Sequence, residues 1–171
     1  MPMQRLLKHA EVFEGLDEGD LQQLANIGQH QSIRAGEYLF LLGEDALAFY
    51  VVTKGTLSLC FPMPVGSAVR DITVETVHEG KALGWSALVK PYRFTLSARA
   101  TEATEVVGFA RRALIELFEH EPRLGSTFFM KISELVGIRL ATVQALWVRE
   151  LRWLAERPSK SSPDAQTSAW R

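Results

Sequence analysis

Apolar and polar positions follow three successive patterns along this chain. Behind Asp17, the residues Leu21, Leu24, Ala25 and Ile27 share one helical face, and Asp17 stands where an N-cap side chain accepts a backbone N–H. A short amphipathic helix is therefore predicted inside an N-terminal helical segment, residues 1–33. Between residues 34 and 111 the runs become short, apolar or alternating, each closed by Gly, Pro or acidic residues, which is the pattern of an antiparallel all-β unit. The predicted strands are Tyr38 to Leu41, Phe49 to Thr53, Thr56 to Phe61, Asp71 to Thr76, Leu96 to Ala100 and Glu105 to Phe109. Turns are predicted at Gly36, at Gly43-Glu44-Asp45, at Lys54-Gly55, across Pro62 to Ser67 and at Gly80. In the third strand Leu57, Leu59 and Phe61 alternate with Thr56, Ser58 and Cys60, which assigns the first set to a core and the second to a partly polar face.

After Arg111 the period becomes helical again. Leu114, Leu117 and Phe118 form a first stripe, and Pro122 restarts the chain at an N1 position. A long helix is predicted to about Arg157. Its apolar residues Ile132, Val136, Leu140, Val143, Trp147, Leu151 and Leu154 are spaced 4, 4, 3, 4, 4 and 3, an eleven-residue repeat close to the natural helical period. Arg139, Arg149, Glu150, Arg152 and Glu156 flank them, so Val136, Leu140, Val143, Trp147, Leu151 and Leu154 read as the seam of a parallel homodimer or as a face packed on the chain's own β unit. The stretch 158–171 is rich in Ser, Pro and polar residues and is predicted to be a disordered tail. The chain thus divides into one domain over residues 1–157 (β unit 34–111, C-terminal helices 112–157) and the tail.

Composition narrows the function more than the fold. With 171 residues, 47% apolar and 23% charged, the chain has room for one ordinary globular core. The net charge of −1 gives no general pull toward nucleic acid or anionic membrane. Cys60, the single cysteine, excludes an internal disulfide and a thiolate-held cluster. The polar start and the lack of a long apolar run lead to the expectation of a cytoplasmic protein without a membrane span. No nucleophile with its base and no phosphate-cradling loop is legible, so no enzyme is expected. Glu116, Glu119, His120 and Glu121 read as a solvated helix end rather than a metal site. A haem would need His9, His30, His78 or His120 as axial ligand, a minor alternative.

Gly84 to Arg99 fits neither the strand nor the long-helix pattern, and its surroundings carry a resemblance. Arg34-Ala35-Gly36-Glu37-Tyr38-Leu39-Phe40, then Gly43-Glu44-Asp45, then Phe49-Tyr50-Val51-Val52-Thr53-Lys54-Gly55-Thr56-Leu57 is similar to the strand and turn texts of the cyclic-nucleotide-binding superfamily of the catabolite activator protein and the protein kinase A regulatory subunit. The resemblance spans about Leu6 to Arg157. It implies a mainly β fold with flanking helices, a jelly-roll-like β-roll followed by a long C-terminal helix. It also implies a regulatory sensor or interaction module, a small bacterial member in which the 14 residues after Arg157 are too few for a helix-turn-helix. Direct DNA binding is not expected.

The superfamily's phosphate-binding cassette corresponds to residues 84–98. There Gly84 matches the first glycine, Arg93 matches the phosphate arginine in type, and Thr95 and Ser97 bring hydroxyls. The ribose-binding carboxylate is replaced by Trp85, and Ser86 follows where the family has leucine. Losing a charge-assisted hydrogen bond costs about 1.5 to 3 kcal/mol, so ordinary cyclic AMP binding is expected to be weak. The stretch from Gly84 to Arg93 is shorter than the family text, and a shift by one residue would put Phe94 at the arginine's place. Two readings stay open: a retuned pocket for a cyclic nucleotide or other small phosphate-bearing anion, held by Gly84, Trp85, Ser86, Arg93, Thr95 and Ser97, or a degenerate pocket filled by Trp85 and Tyr92, with Arg93 paired to a local acid.

Overall fold

The computed structural model describes residues 3–156. A short helix α1 (Met3–Leu7) and a 3-10 turn (Glu11–Phe13) lead into α2 (Glu18–Ile27), whose N-cap is Asp17. Asp17 accepts from the Asp20 N–H at 2.9 Å and closes a capping box, while Leu21 and Leu24 turn into the core. Eight strands follow: β1 (Gly28–Ile33), β2 (Tyr38–Phe40), β3 (Ala48–Lys54), β4 (Thr56–Val65), β5 (Ala68–His78), β6 (Ala82–Leu83), β7 (Ser97–Ala100) and β8 (Thr104–Ala110). They form two antiparallel four-stranded sheets in the orders β1-β8-β3-β6 and β2-β7-β4-β5. Two helices complete the described residues, α3 (Arg111–His120) and α4 (Pro122–Glu156). This is the β-roll with a long C-terminal helix expected from the sequence.

Each sheet turns one face into the roll. That interior is apolar: Ile33, Phe40, Val52, Leu57, Leu59, Val77, Leu83, Ala87, Phe94, Ala98 and Val106 form one buried cluster. The sheet containing β3 and β8 is also buried on its other face. Phe49 and Phe109 lie there with Phe13 and Phe128, in ring contacts of 5.6 to 6.4 Å, which seats the N-terminal segment and the start of α4 on the roll. Both strands accordingly read as near-continuous apolar runs. The outward residues of the β2-β7-β4-β5 sheet are mixed in polarity. Residues up to Glu134 form one compact unit, and the remainder of α4 from Leu135 belongs to a second.

Four differences from the sequence reading have physical causes. β1 lies within the segment assigned to helix; its text Gly-Gln-His-Gln-Ser-Ile is polar because it is an edge strand held by backbone pairing with β8. β6 is two residues long and shows no alternation. The β4–β5 hairpin does not turn across Pro62 to Ser67 but continues to a tight reversal at Gly66-Ser67, where Gly66 has φ +63°. Beyond Cys60, β4 pairs with β5 alone, so Phe61 keeps the inward parity yet is 42% exposed instead of lying in the core. Cys60 does occupy the second face, but it is buried there. The tail assigned to 158–171 lies outside the described residues.

Candidate functional site

The cassette begins at a glycine that no other residue could replace cheaply. Gly84 has φ +78°, and a Cβ there would meet Tyr50 Cδ2 at 3.1 Å and the Ala48 carbonyl oxygen at 3.2 Å. It caps a single 3-10 turn, Trp85–Leu88, which buries Ala87 in the roll and leaves Trp85 and Ser86 half-buried. The chain then passes a cis Lys90-Pro91 bond and Tyr92 at φ +59° before entering β7.

From Tyr92 to Phe94 the cassette is zipped to the β2–β3 loop. The Ala46 N–H donates to the Tyr92 carbonyl at 2.7 Å, the Phe94 N–H to the Glu44 carbonyl at 3.0 Å, and the Gly43 N–H to the Phe94 carbonyl at 2.8 Å. This pairing decides which way successive side chains point. Arg93 turns outward: its guanidinium donates to the Gly43 carbonyl at 2.8 Å and pairs with Asp45 at 3.3 Å, both side chains being more than half exposed. Phe94 turns inward, 5% exposed, and stacks on Phe40 with centroids 3.7 Å apart and planes 9° from parallel. Phe40 in turn stacks on Tyr50 at 5.9 Å. Burial, with a smaller push from Glu44, raises the Tyr50 phenol above its usual range, so the hydroxyl stays neutral.

The remaining predicted residues separate. Thr95 is exposed. Ser97 is buried, and its Oγ accepts from the Leu42 N–H at 2.9 Å, a use that fastens the β2–β3 loop. Arg111, at the start of α3, lies over the Tyr92 ring at 4.4 Å and donates to the Ala46 carbonyl at 3.4 Å. Thus Gly84, Trp85 and Ser86 stay together at the turn, Arg93 joins the loop acid Asp45, and Ser97 serves the backbone. Sequence reasoning missed Phe40, Tyr50 and Arg111 as neighbours of the cassette. The signal it held was the alternative register at Phe94. Among the described residues no group of His, Cys, Asp and Glu could hold a metal ion, and no helix is long and apolar enough to cross a membrane.

Val136, Leu140, Val143, Trp147, Leu151 and Leu154 lie on the second unit's helix, as the periodicity predicted. Trp147 is 65% exposed, and Leu140, Val143, Leu151 and Leu154 are each about half exposed.

Comparison with known proteins gives one family model: the cyclic nucleotide-binding domain, matched over residues 30–121. No curated protein sequence matches. Among solved structures, the chain is similar to a protein from Geobacter metallireducens assigned to the cyclic nucleotide-binding proteins, with 28% identity, a TM-score of 0.67, and 82% of this chain and 98% of that one covered. A cyclic nucleotide-binding domain from Methylobacillus flagellatus is 15% identical, with a TM-score of 0.73 over 87% of this chain and 82% of that one. The catabolite activator protein of Thermus thermophilus is 22% identical, with a TM-score of 0.67 over 85% of this chain and 63% of that one.

Proposed function

Because this chain belongs to the cyclic nucleotide-binding domain family, we propose that it is a regulatory interaction module whose cassette is filled by its own aromatic side chains and which acts through its long helix, as a homodimer and on a partner protein. The observation that carries this reading is the division of labour at residues 93 and 94. Arg93 is spent on Asp45 and the Gly43 carbonyl, whereas Phe94 occupies the inward direction and stacks on Phe40. An arginine that neutralises a phosphate inside a roll must point into it with donors to spare. Trp85, in place of a carboxylate, removes the acceptor that would make a ribose a favoured neighbour. Calorimetry with cyclic AMP and cyclic GMP is expected to show no binding tighter than about 10 μM, and sub-micromolar binding would overturn the reading. Turnover of a nucleotide by the purified protein would overturn it too, since the role is regulatory and not catalytic.

A second reading has one observation in its favour. The Arg93–Asp45 pair is solvent-exposed on both sides, and such a pair is worth at most about 1 kcal/mol, so a small phosphate-bearing anion could exchange with Asp45 for the guanidinium. That reading requires a phosphate-dependent rise in melting temperature that Arg93→Ala removes. An unchanged rise in the variant assigns Arg93 to structure alone.

A further inference from the structure

The outer face of the β2-β7-β4-β5 sheet carries a cleft of about 510 Å³, apart from the cassette. Its floor is made by Ser58 and Cys60 of β4, and its sides by Asp71 and Thr73 of β5 and by Arg99 of β7, with Gly36 at the rim. Ser58 is only 7% and Cys60 only 1% exposed, because the side residues stand up around them.

Two opposite charges are fixed in this cleft with capacity unspent. Arg99 donates its Nε–H to the Gly36 carbonyl at 3.0 Å, and its guanidinium sits 5.7 Å from the centre of the Tyr38 ring. A guanidinium has five N–H donors, and among the described residues no hydrogen bond uses those on the terminal nitrogens. Asp71 accepts from the Tyr38 hydroxyl through Oδ2, which fixes the carboxylate while leaving several of its lone pairs unspent. Tyr38 therefore orients both charged groups, one through its hydroxyl and one through its ring. Beneath them the Ser58 and Thr73 hydroxyls are 2.8 Å apart and bond to each other, so the floor is polar without being charged. Arg99 and Asp71 are not joined in an ion pair among the described residues, and a ligand that bridges them gains from both.

We propose that this cleft is a second binding site, for a small zwitterion of the α-amino-acid class, with the ligand carboxylate on Arg99 and its ammonium on Asp71. A simple anion would meet Asp71, and a simple cation would meet Arg99; a molecule whose ammonium and carboxylate are carried on the same carbon satisfies each wall. The volume admits an amino acid with its side chain, since small-molecule sites run from about 300 to 1,000 Å³. Because β7 leaves the cassette directly into Arg99, an occupied cleft would brace that strand against the β4–β5 hairpin.

The test is a titration of the full chain with each of the common L-amino acids at about 5 mM, followed by backbone amide NMR, a range suited to weak binding on an open surface. At least one is expected to shift the amides of Ser58, Thr73 and Arg99 in a saturable manner. Its methyl ester, lacking the carboxylate, and its N-acetyl form, lacking the ammonium, are each expected to lose that response. Arg99→Met keeps the aliphatic stem and Asp71→Asn keeps an acceptor for Tyr38, so both variants should stay folded by amide dispersion while weakening binding about tenfold or more. Absence of a saturable shift for every amino acid overturns the proposal, and so does binding that survives both substitutions or is matched by the ester and the N-acetyl form. Cyclic AMP binding at the cassette would leave these outcomes untouched, so the two sites fail separately.

Discussion

Arg93 and Phe94 are neighbours in the chain, yet their substitution should have very different consequences. The Arg93–Asp45 pair is exposed on both sides, so Arg93→Ala is expected to lower unfolding stability by no more than about 1 kcal/mol. Phe94 is buried and stacked on Phe40, and Phe94→Ala leaves a ring-sized hole, which costs about 3 to 5 kcal/mol. Urea unfolding of both variants distinguishes the arrangement: equal losses, or a larger one for Arg93→Ala, would mean that the two side chains exchange directions in solution. This is also where the sequence could be read only in part. The glycines and strand texts marked out the stretch 84–98 with its register open by one residue, and composition does not say which of two adjacent side chains faces inward. That choice is made by the left-handed backbone at Tyr92 and by the Glu44 and Gly43 bridges to Phe94, which come from a distant loop. A second residue-scale expectation concerns Cys60. Burial first, and then the nearby Asp71, push its thiol up to about 11, and the thiolate is the reactive form. Reaction with a disulfide reagent at about pH 8 should therefore be slow in the folded protein and become fast only in denaturant. Fast stoichiometric labelling of native protein would contradict the burial.

Elements are joined here by a small ionic cluster that the hydrophobic pattern does not reveal. Arg123, in the first turn of α4, donates to Asp20 at 2.7 and 2.8 Å and to Asp17 at 3.2 Å, so one guanidinium ties α4 to the N-terminus of α2. The Asp20 side chain is only 4% exposed, so its charge depends on these partners. Arg123→Met is accordingly expected to destabilise the protein clearly more than Arg112→Met, which breaks only an exposed pair with Glu116 one helical turn away. Asp17 adds a pH dependence. The Asp20 N–H it accepts holds its carboxyl below the ordinary 3.8; burial opposes this, and Arg123 adds a further lowering. A depressed carboxylate stabilises the fold above its unfolded pKa and loses that contribution as pH falls through the folded value. The wild type should therefore lose stability more steeply than Asp17→Asn once pH drops below about 4, and parallel curves in denaturant titrations at several pH values would refute the assignment. At this scale the helices were the most legible elements, because Asp17, Pro122 and the apolar stripes mark their ends and faces directly. Strands β1 and β6 were not legible: one is a polar edge held through its backbone, and the other is too short for alternation. The hairpin was read too short because Pro62 and Pro64 look like turn residues, although both lie in a two-stranded extension that tolerates them.

At the scale of the whole molecule, the second unit's helix carries exposed apolar side chains along its length. From Leu135 to Glu156 it would run about 33 Å at 1.5 Å per residue, and in proteins most helical stability comes from packing an apolar face rather than from propensity. Its seam residues Leu140, Val143, Trp147, Leu151 and Leu154 are about half exposed or more, and so extended a stripe is larger than the scattered apolar residues found on monomer surfaces. Their eleven-residue spacing keeps them on one side of a nearly straight helix, so a second copy of the same helix can cover them along their whole length without strong supercoiling. The charged residues at Arg139, Arg149, Glu150 and Arg152 lie beside that stripe and keep it from closing on an unrelated apolar surface. The expected state is therefore a homodimer at concentrations on the order of tens of micromolar, measured by light scattering. Leu140→Glu combined with Trp147→Glu places like charges at the centre of the seam and should give a monomer. Because the β-roll core lies before Leu135, the monomer should keep its cooperative thermal transition and lose only helical circular dichroism from the freed segment. A wild type that is monomeric under those conditions would rule out the seam as a self-association surface, whereas a double variant that stays dimeric would move the contact away from this helix.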